Sequence, residues 1–319
     1  MNKNLNCMVC NSSLKPILKR DDGYFYHKCE SCLLITTIPH PSDQTISTYY
    51  DGFLFRKPEG KEIEERKRLL AKDVAKISRD IRKFKAGESI SLLDFGGGTG
   101  FYSNAFQEEG FNVTLLDVDS QACDYVKDTF PSLNVLCLNP MIQTTKSKFD
   151  VVFCNQVIEH YKDSDALLST LNSFLKEDGL LIVTTPNSSS KEYLFRPAWI
   201  WDYIKPTSDK TLKRLLNFFH LFINSWISCD PPRHIYAFNA KNLKDLHERN
   251  DLKVEKVFTE YVISQYYSLK KYNDFSLKGI RSFFKIAQNI YAWVGISMLR
   301  LLDFKNNLGN NLVFYSRKK

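Results

Sequence analysis

From about residue 61 onward, short apolar runs alternate with amphipathic stretches, and this pattern sets the architecture of most of the chain. In "EGKEIEERKRLLAKDVAKISRDIRKFKAG", Ile63, Leu69, Leu70, Val74, Ile77, Ile81 and Phe84 share one helical face and Gly87 closes the helix. "SISLLDF" then reads as a buried strand, "GFYSNAFQEEG" as a helix, "NVTLLDVD" as a second strand and "SQACDYVKDTF" as another helix. "NVLCL" and "FDVVFCN" follow as strands, "ALLSTLNSFLKEDG" as a helix and "LLIVTTPN" as a fifth strand. Such strands, separated by helices of about ten residues, predict an α/β fold with a doubly wound parallel sheet. Its ligand crevice lies at the C-terminal strand ends, beside the first strand-to-helix turn. "LKVEKVFTE" and "NNLVFYSRK" add two strands late in the chain.

Three stretches break the rhythm. Residues 1–40 are polar and cysteine-rich, and 41–60, with "PHPSDQTISTYYDGF", read as a linker because of their prolines and few helix formers. Insertions interrupt the domain 61–319 at about 190–232 and 265–305. They hold "LLNFFHLFINSWISC" and "IAQNIYAWVGISML", both free of charge. Both are too short to span a bilayer. The preferred reading is a helical lid. The competing one is peripheral membrane contact through 212–228 and 277–303, with Trp226 and Trp293 at headgroup depth.

The turn after the first strand is "LLDFGGGTG". Gly96, Gly98 and Gly100 are set two apart, and Phe101 stands where a dinucleotide fingerprint would place its third glycine. Asp94 lies two residues before the loop. Its carboxylate would repel a pyrophosphate but favour an ammonium or sulfonium. A plain turn needs one or two glycines, not four. The second strand ends in "LLDVD", where Asp117, with Asp119 as second choice, is placed to accept from two ribose hydroxyls.

At the N-terminus, Cys7, Cys10, Cys29 and Cys32 form two C-x2-C knuckles. This spacing closes a tetrahedral four-cysteine site for a structural Zn2+ and predicts a small zinc ribbon. His27 is near enough to compete, but four cysteines complete the site without it. Cys123, Cys137, Cys154 and Cys229 read as core positions. "MNKNLNCMVC" shows no secretory signal, so a cytoplasmic protein is expected, with attachment at the inner membrane face if the insertions contact lipid.

The net charge of +8 is unevenly spread. Residues 91–189 hold 5 Lys/Arg against 13 Asp/Glu, and residues 190–319 hold 22 against 11. The acidic middle excludes itself as a nucleic-acid surface, while the basic last third suits phosphate or an anionic membrane.

Asp94-x-Gly96-x-Gly98-Thr99-Gly100, Asp117, "FDVVFCNQVIEH", "LKEDGLLIVTTPN" and the later "PPRHIYAFNAKNLKDLHERNDLKVEKV", in that order, resemble a class I S-adenosylmethionine-dependent methyltransferase. The resemblance covers roughly residues 60–319 and implies a Rossmann-like sheet of seven strands, the last antiparallel. It implies that Asp94 and the backbone of Gly96 to Gly100 hold the methionyl end, and that Asp117 binds the ribose. Asn139 stands where the family usually has an aspartate facing the adenine amino group, which implies weaker binding. Asn155 and Gln156 would line the methionyl side. A base, needed for a hydroxyl or carbon acceptor, would be His160 or His234, with Tyr161 and Tyr236 as weaker candidates. "NQVIEH" lacks the Pro-Pro-aromatic or Pro-Cys runs of base-methylating enzymes, so nucleic acid is disfavoured. Ribbon, linker and methyltransferase domain in this order are similar to bacterial sugar, polysaccharide and natural-product methyltransferases. The expected acceptor is therefore a small molecule, saccharide or lipid-linked glycan, methylated on O or C. An RNA methyltransferase and an inactive scaffold of the same fold are the alternatives.

Overall fold

The computed structural model describes residues 5–53, 57–85, 87, 89–141, 147–195, 204–224, 228–261, 280–303 and 307–319. They divide into two compact units. One is built from residues 1–41, 186–243 and 258–312, the other from 42–185, 244–257 and 313–319.

The second unit carries the alternating pattern. Helix α2 (Lys61–Phe84) turns Val74, Ile77 and Ile81 inward. Strands β4 (Ser91–Phe95), β5 (Asn112–Asp117), β6 (Asn134–Cys137) and β7 (Phe149–Asn155) alternate with α3 (Phe101–Glu108), α4 (Ser120–Thr129) and α5 (Ser164–Ser173). With β8 (Leu175–Pro186), β10 (Leu252–Glu260) and β11 (Asn311–Lys318) they form a seven-stranded sheet in the order β10-β11-β8-β7-β4-β5-β6. The β6-β5-β4-β7-β8 run is parallel throughout. Leu93, Phe95, Val152, Phe153 and Ile182 are buried along its centre, as parallel strands covered on both faces require. Phe106 on α3 meets Phe153 edge-on at 5.1 Å between ring centroids, which fixes helix to sheet.

Two local expectations fail here for physical reasons. The stretch "PSDQTISTYY", read as a linker with few helix formers, holds helix α1 (Asp43–Phe53). Ser42 caps it: its Oγ accepts from the Thr45 N–H at 3.0 Å, and Asp43 complements the N-terminal dipole. The helix over "ALLSTLNSFLKEDG" ends at Ser173, and β8 begins at Leu175. Buried Phe174 and Leu175 favour pairing with Phe149. The next rung joins Val151 to Leu180, so the register shifts at residues 176–179 within β8, with Asp178 at φ 58°.

His247, on α7 (Ala240–Arg249), is wholly buried with Nδ1 2.9 Å from Ser316 Oγ, and burial pushes its pKa down to about 3. Its folded value lies below the ordinary 6.5. Its stabilising contribution is therefore full above pH 6.5 and is lost as pH falls toward 3, because the unfolded chain takes up the proton first. A His247→Gln variant is expected to lose less Tm than the wild type between pH 6.5 and 4.5, measured by calorimetry.

The first unit holds β1 (Leu14–Lys19), β2 (Phe25–Cys29), β3 (Ile35–Ile38) and the short β9 (Tyr236–Ala237), hydrogen-bonded in that order. Neighbours run antiparallel, and Thr36 pairs with Tyr236. The N-terminal forty residues therefore do not close a sheet of their own. Tyr236–Ala237 supply its fourth strand, and Thr37 N–H also donates to Ile235 O at 3.1 Å. Tyr26, Ile35, Tyr193, Ile204, Leu221 and Cys229 form one apolar cluster in this unit. Helix α6 (Thr211–Asn224) contributes Leu221, and α8 (Ile280–Leu302) also belongs to this unit. Among the described residues no helix is long and apolar enough to cross a membrane. Trp226 and part of both insertions lie outside the described residues.

Candidate functional site

Asp94 ends β4 and is 2% exposed. Ser103 Oγ, from the first turn of α3, donates to its Oδ2 at 2.6 Å. Burial raises the Asp94 pKa to about 7, Ser103 opposes the rise, and the Asp117 charge adds to it. Sequence reasoning missed Ser103. Its signal was a polar residue on the buried face of a helix that starts at the glycine loop.

The loop bends as its glycines allow. Gly96, Gly98 and Gly100 stand at φ 71°, 52° and 75°, in the left-handed region. Gly96 N–H donates to Leu116 O at 2.8 Å and Gly100 N–H to Gly97 O at 3.0 Å. A Cβ on Gly100 would lie 2.9 Å from Val126 Cγ2. Gly100→Ala therefore combines backbone strain with overpacking, and is expected to cost about 2–4 kcal/mol in urea unfolding. Gly98 differs: a Cβ there would meet nothing within 4 Å, so the loop opens onto free space at that point.

Asp117 ends β5, the neighbouring strand. Its Oδ2 accepts from Gly98 N–H at 2.8 Å and its Oδ1 from Asp119 N–H at 2.9 Å. Burial raises its pKa, and those two N–H groups pull the other way. Asp119 is the N-cap of α4, accepting from Gln121 and Ala122 N–H, so its carboxylate is committed to the helix.

Asn139 is exposed beyond β6, and its Oδ1 accepts from Met141 N–H at 3.0 Å. Asn155 ends β7 and accepts from Thr184 Oγ1. Gln156 follows at φ 57°, with its N–H donating to Thr184 O at 3.0 Å. Asp94, the loop, Asp117, Asn139, Asn155 and Gln156 thus all sit at the C-terminal ends of adjacent parallel strands, where a doubly wound sheet places its ligand. Thr184, which fixes the two amides, was not among the sequence candidates.

His160 closes the short helical turn 158–160 after β7 and is half-buried. Its Nε2 is 3.8 Å from Glu159 Oε1, too far for a hydrogen bond but close for charge. Glu159 is 1% exposed, and its Oε2 accepts from Thr185 Oγ1 at 2.9 Å. Tyr161 is held by burial at a pKa of about 12, which suits packing more than proton transfer. His234 belongs to the first unit, where it is buried and pairs with Asp230 through both backbone groups. Tyr236 in the same unit is a β9 ladder residue whose ring meets His40 edge-on at 5.5 Å.

The four N-terminal cysteines converge, their sulfurs all within 4.8 Å of one another. Cys7 Sγ is 3.5 Å from Cys32 Sγ, and Cys10 Sγ is 3.4 Å from Cys29 Sγ. Four sulfurs about 2.3 Å from one Zn2+ would stand about 3.8 Å apart, so the group needs little movement to close on it. His27 turns Nδ1 to Phe25 O at 3.2 Å and is not part of the group. The second knuckle is also fastened from outside: Asn239 and Asn242 both donate through Nδ2 to Cys32 O, at 3.2 and 3.3 Å.

A seven-stranded sheet in this order, parallel from β6 to β8, with a glycine turn after its central strand and an acid ending the next, defines the class I methyltransferase fold. The profile of a methyltransferase-domain family matches residues 63–257, more than half of the chain, and the chain belongs to that family. It is 30% identical over 129 residues to a ubiquinone biosynthesis O-methyltransferase of Rickettsia conorii, covering 39% of this chain and 43% of that protein. It is 29% identical over 153 residues to the (S)-coclaurine N-methyltransferase of Papaver somniferum, covering 44% of this chain and 43% of that one. The match thus spans less than half the length of these relatives. Magnesium protoporphyrin IX methyltransferase from Synechocystis PCC 6803 superposes with a TM-score of 0.50 at 12% identity, over 87% of this chain and 100% of that one, a likeness of fold.

Proposed function

We propose that this chain binds S-adenosylmethionine at the β4–α3 turn and catalyses methyl transfer to a small-molecule, saccharide or lipid-linked glycan acceptor. The observation that carries this reading is the contact between Gly98 N–H and Asp117, which ties the open point of the glycine loop to a ribose-binding acid. The Asp117 carboxylate already reaches the loop at Gly98, and as an acceptor-only group it suits the ribose hydroxyls. The space beyond Gly98 leaves room for a nucleoside. Asp94, with a pKa near 7, gains its full charge when an ammonium or sulfonium stands beside it. The residues present therefore fit the cofactor.

When bound, S-adenosylmethionine supplies a methyl group on a positively charged sulfur, open to in-line displacement. The chain's own part is to orient and to receive a proton. Backbone N–H groups of Gly96 to Gly100 hold the carboxylate end, Asn139 meets the adenine edge, and Asn155 and Gln156, braced by Thr184, line the methionyl side. His160 takes the acceptor proton, and Glu159 balances the imidazolium that results. His234 is the alternative base. Relatives named for ubiquinone biosynthesis and for coclaurine support a small acceptor. Zn2+ held by Cys7, Cys10, Cys29 and Cys32 supplies folding energy in this reading.

The test uses methyl-labelled S-adenosylmethionine with purified protein and separated lipid, glycan, RNA and small-metabolite fractions. Label in glycan, lipid or small metabolites, absent with Asp117→Ala, is the expected result. Label in RNA alone refutes the acceptor class, and failure to bind the cofactor refutes the activity.

A further inference from the structure

Two helices of the first unit each carry an exposed apolar face. Helix α6 turns Leu221 and Phe218 into the cluster of Tyr26, Tyr193 and Ile204. Its other side exposes Leu212, Leu215, Leu216 and Phe219, with Leu212 at 71%. Helix α8 is divided in the same way along 290–302. Ala292 and Ile296 are buried, and Gly295 lies so close to Phe195 that a Cβ would stand 2.0 Å from its Cδ1. The glycine is what lets the helix seat on that ring.

Opposite this seat, Ile290, Trp293, Val294, Met298, Leu301 and Leu302 face solvent, Trp293 at 57% and Leu301 at 77%. At about 100° per residue these six positions cover roughly half of the helix circumference. Apolar faces of this extent are uncommon on soluble monomers and mark contact surfaces.

The charges on the two helices select the partner. Helix α6 carries Lys213 and Arg214, the described part of α8 carries Arg300, and neither stretch contains an acid. Lys210 precedes α6 and is exposed. Lys213 is paired with Asp21 and Arg214 stands 4.0 Å from exposed Asp209, so Lys210 and, on α8, Arg300 leave the surface net positive. A second copy would bring the same positive sign to the contact, whereas an anionic lipid surface brings the opposite one. Leucine, phenylalanine and tryptophan on one face with only cations among the charges is the composition of a helix lying in a bilayer interface.

We propose that the outer faces of α6 and α8 seat this protein on the surface of an anionic bilayer, lying in the interface without crossing it. This goes beyond the methyl-transfer reading and stands or falls independently of it. The full chain is to be sedimented with vesicles of phosphatidylcholine, alone or with about three parts in ten of phosphatidylglycerol. Each cation that reaches an anionic surface changes partitioning about fivefold, so binding to the mixed vesicles should exceed binding to phosphatidylcholine at least tenfold and weaken in high salt. Trp293→Ser/Met298→Ser/Leu301→Ser should lower it at least tenfold, since three buried apolar groups are lost. A second variant, Leu212→Ser/Leu216→Ser/Phe219→Ser, should act likewise. Because these side chains are exposed, circular dichroism and cofactor affinity should stay at wild-type values.

Absence of binding to mixed vesicles overturns the proposal. So does binding that both variants leave intact, or equal binding to both vesicle types at all salt concentrations. A dimer in light scattering that the variants abolish, with no vesicle binding, gives the surface to a second copy instead.

Discussion

Asp117→Ala is expected to weaken S-adenosylmethionine binding by a factor on the order of 10² to 10⁴, read by calorimetric titration. Two ribose hydroxyls on a carboxylate are two charge-assisted hydrogen bonds, each worth about 1.5–3 kcal/mol when the partner is lost. The same change frees Gly98 N–H and Asp119 N–H, which the carboxylate now holds at 2.8 and 2.9 Å. The loop therefore loses its brace as well as its ligand contact. Asp117→Asn separates the two losses, because an amide oxygen can still accept from one N–H while the charge is gone. A loss for Asn approaching that for Ala assigns the effect to charge and ribose. A near-normal affinity for either variant would remove Asp117 from the site.

Removing the metal should produce the other large effect, in the other unit. Cys29→Ser is expected to reduce bound zinc from one ion per chain to none, measured by elemental analysis. It should also open β1, β2 and β3 to amide hydrogen exchange. Structural Zn2+ contributes about 10–16 kcal/mol in small zinc-finger peptides, far more than three short strands recover by packing. The fastening of Cys32 O by Asn239 and Asn242 carries the disturbance forward to residues 234–243, so their exchange should rise too. Cofactor affinity should change little, since Asp94, the glycine loop and Asp117 all belong to the second unit. Retention of all exchange protection after zinc removal would make the cysteines ordinary core residues.

What could be read from the sequence was local. Strands β4 to β7 and helix α2 announce themselves by periodicity, and a left-handed loop announces itself by its glycines. The convergence of Cys7, Cys10, Cys29 and Cys32 was legible because cysteine spacing is itself a geometric statement. The edge that completes the ribbon was not, because Thr36 and Tyr236 are two hundred positions apart and no pattern along a chain encodes that pairing. Helix α1 was hidden by a different conflict. Pro39 and Pro41, just before it, signalled a linker, while Ser42 favours the helix only through its cap. Ser103 and Thr184 escaped because their chemistry consists in holding other side chains, Asp94 and Asn155, and a hydroxyl gives no sign of its partner.

That long-range edge has a consequence in time. A ribosome adds roughly 5–20 residues per second, so β3 leaves the exit tunnel roughly 10–40 seconds before β9 exists to cover it. Throughout that interval the hairpin of β1, β2 and β3 presents an unpaired strand edge, a template for pairing with other chains. Metal captured early by the cysteines would keep the nascent hairpin folded while it waits, whereas a zinc-starved cell would leave it open at the moment of greatest exposure to aggregation.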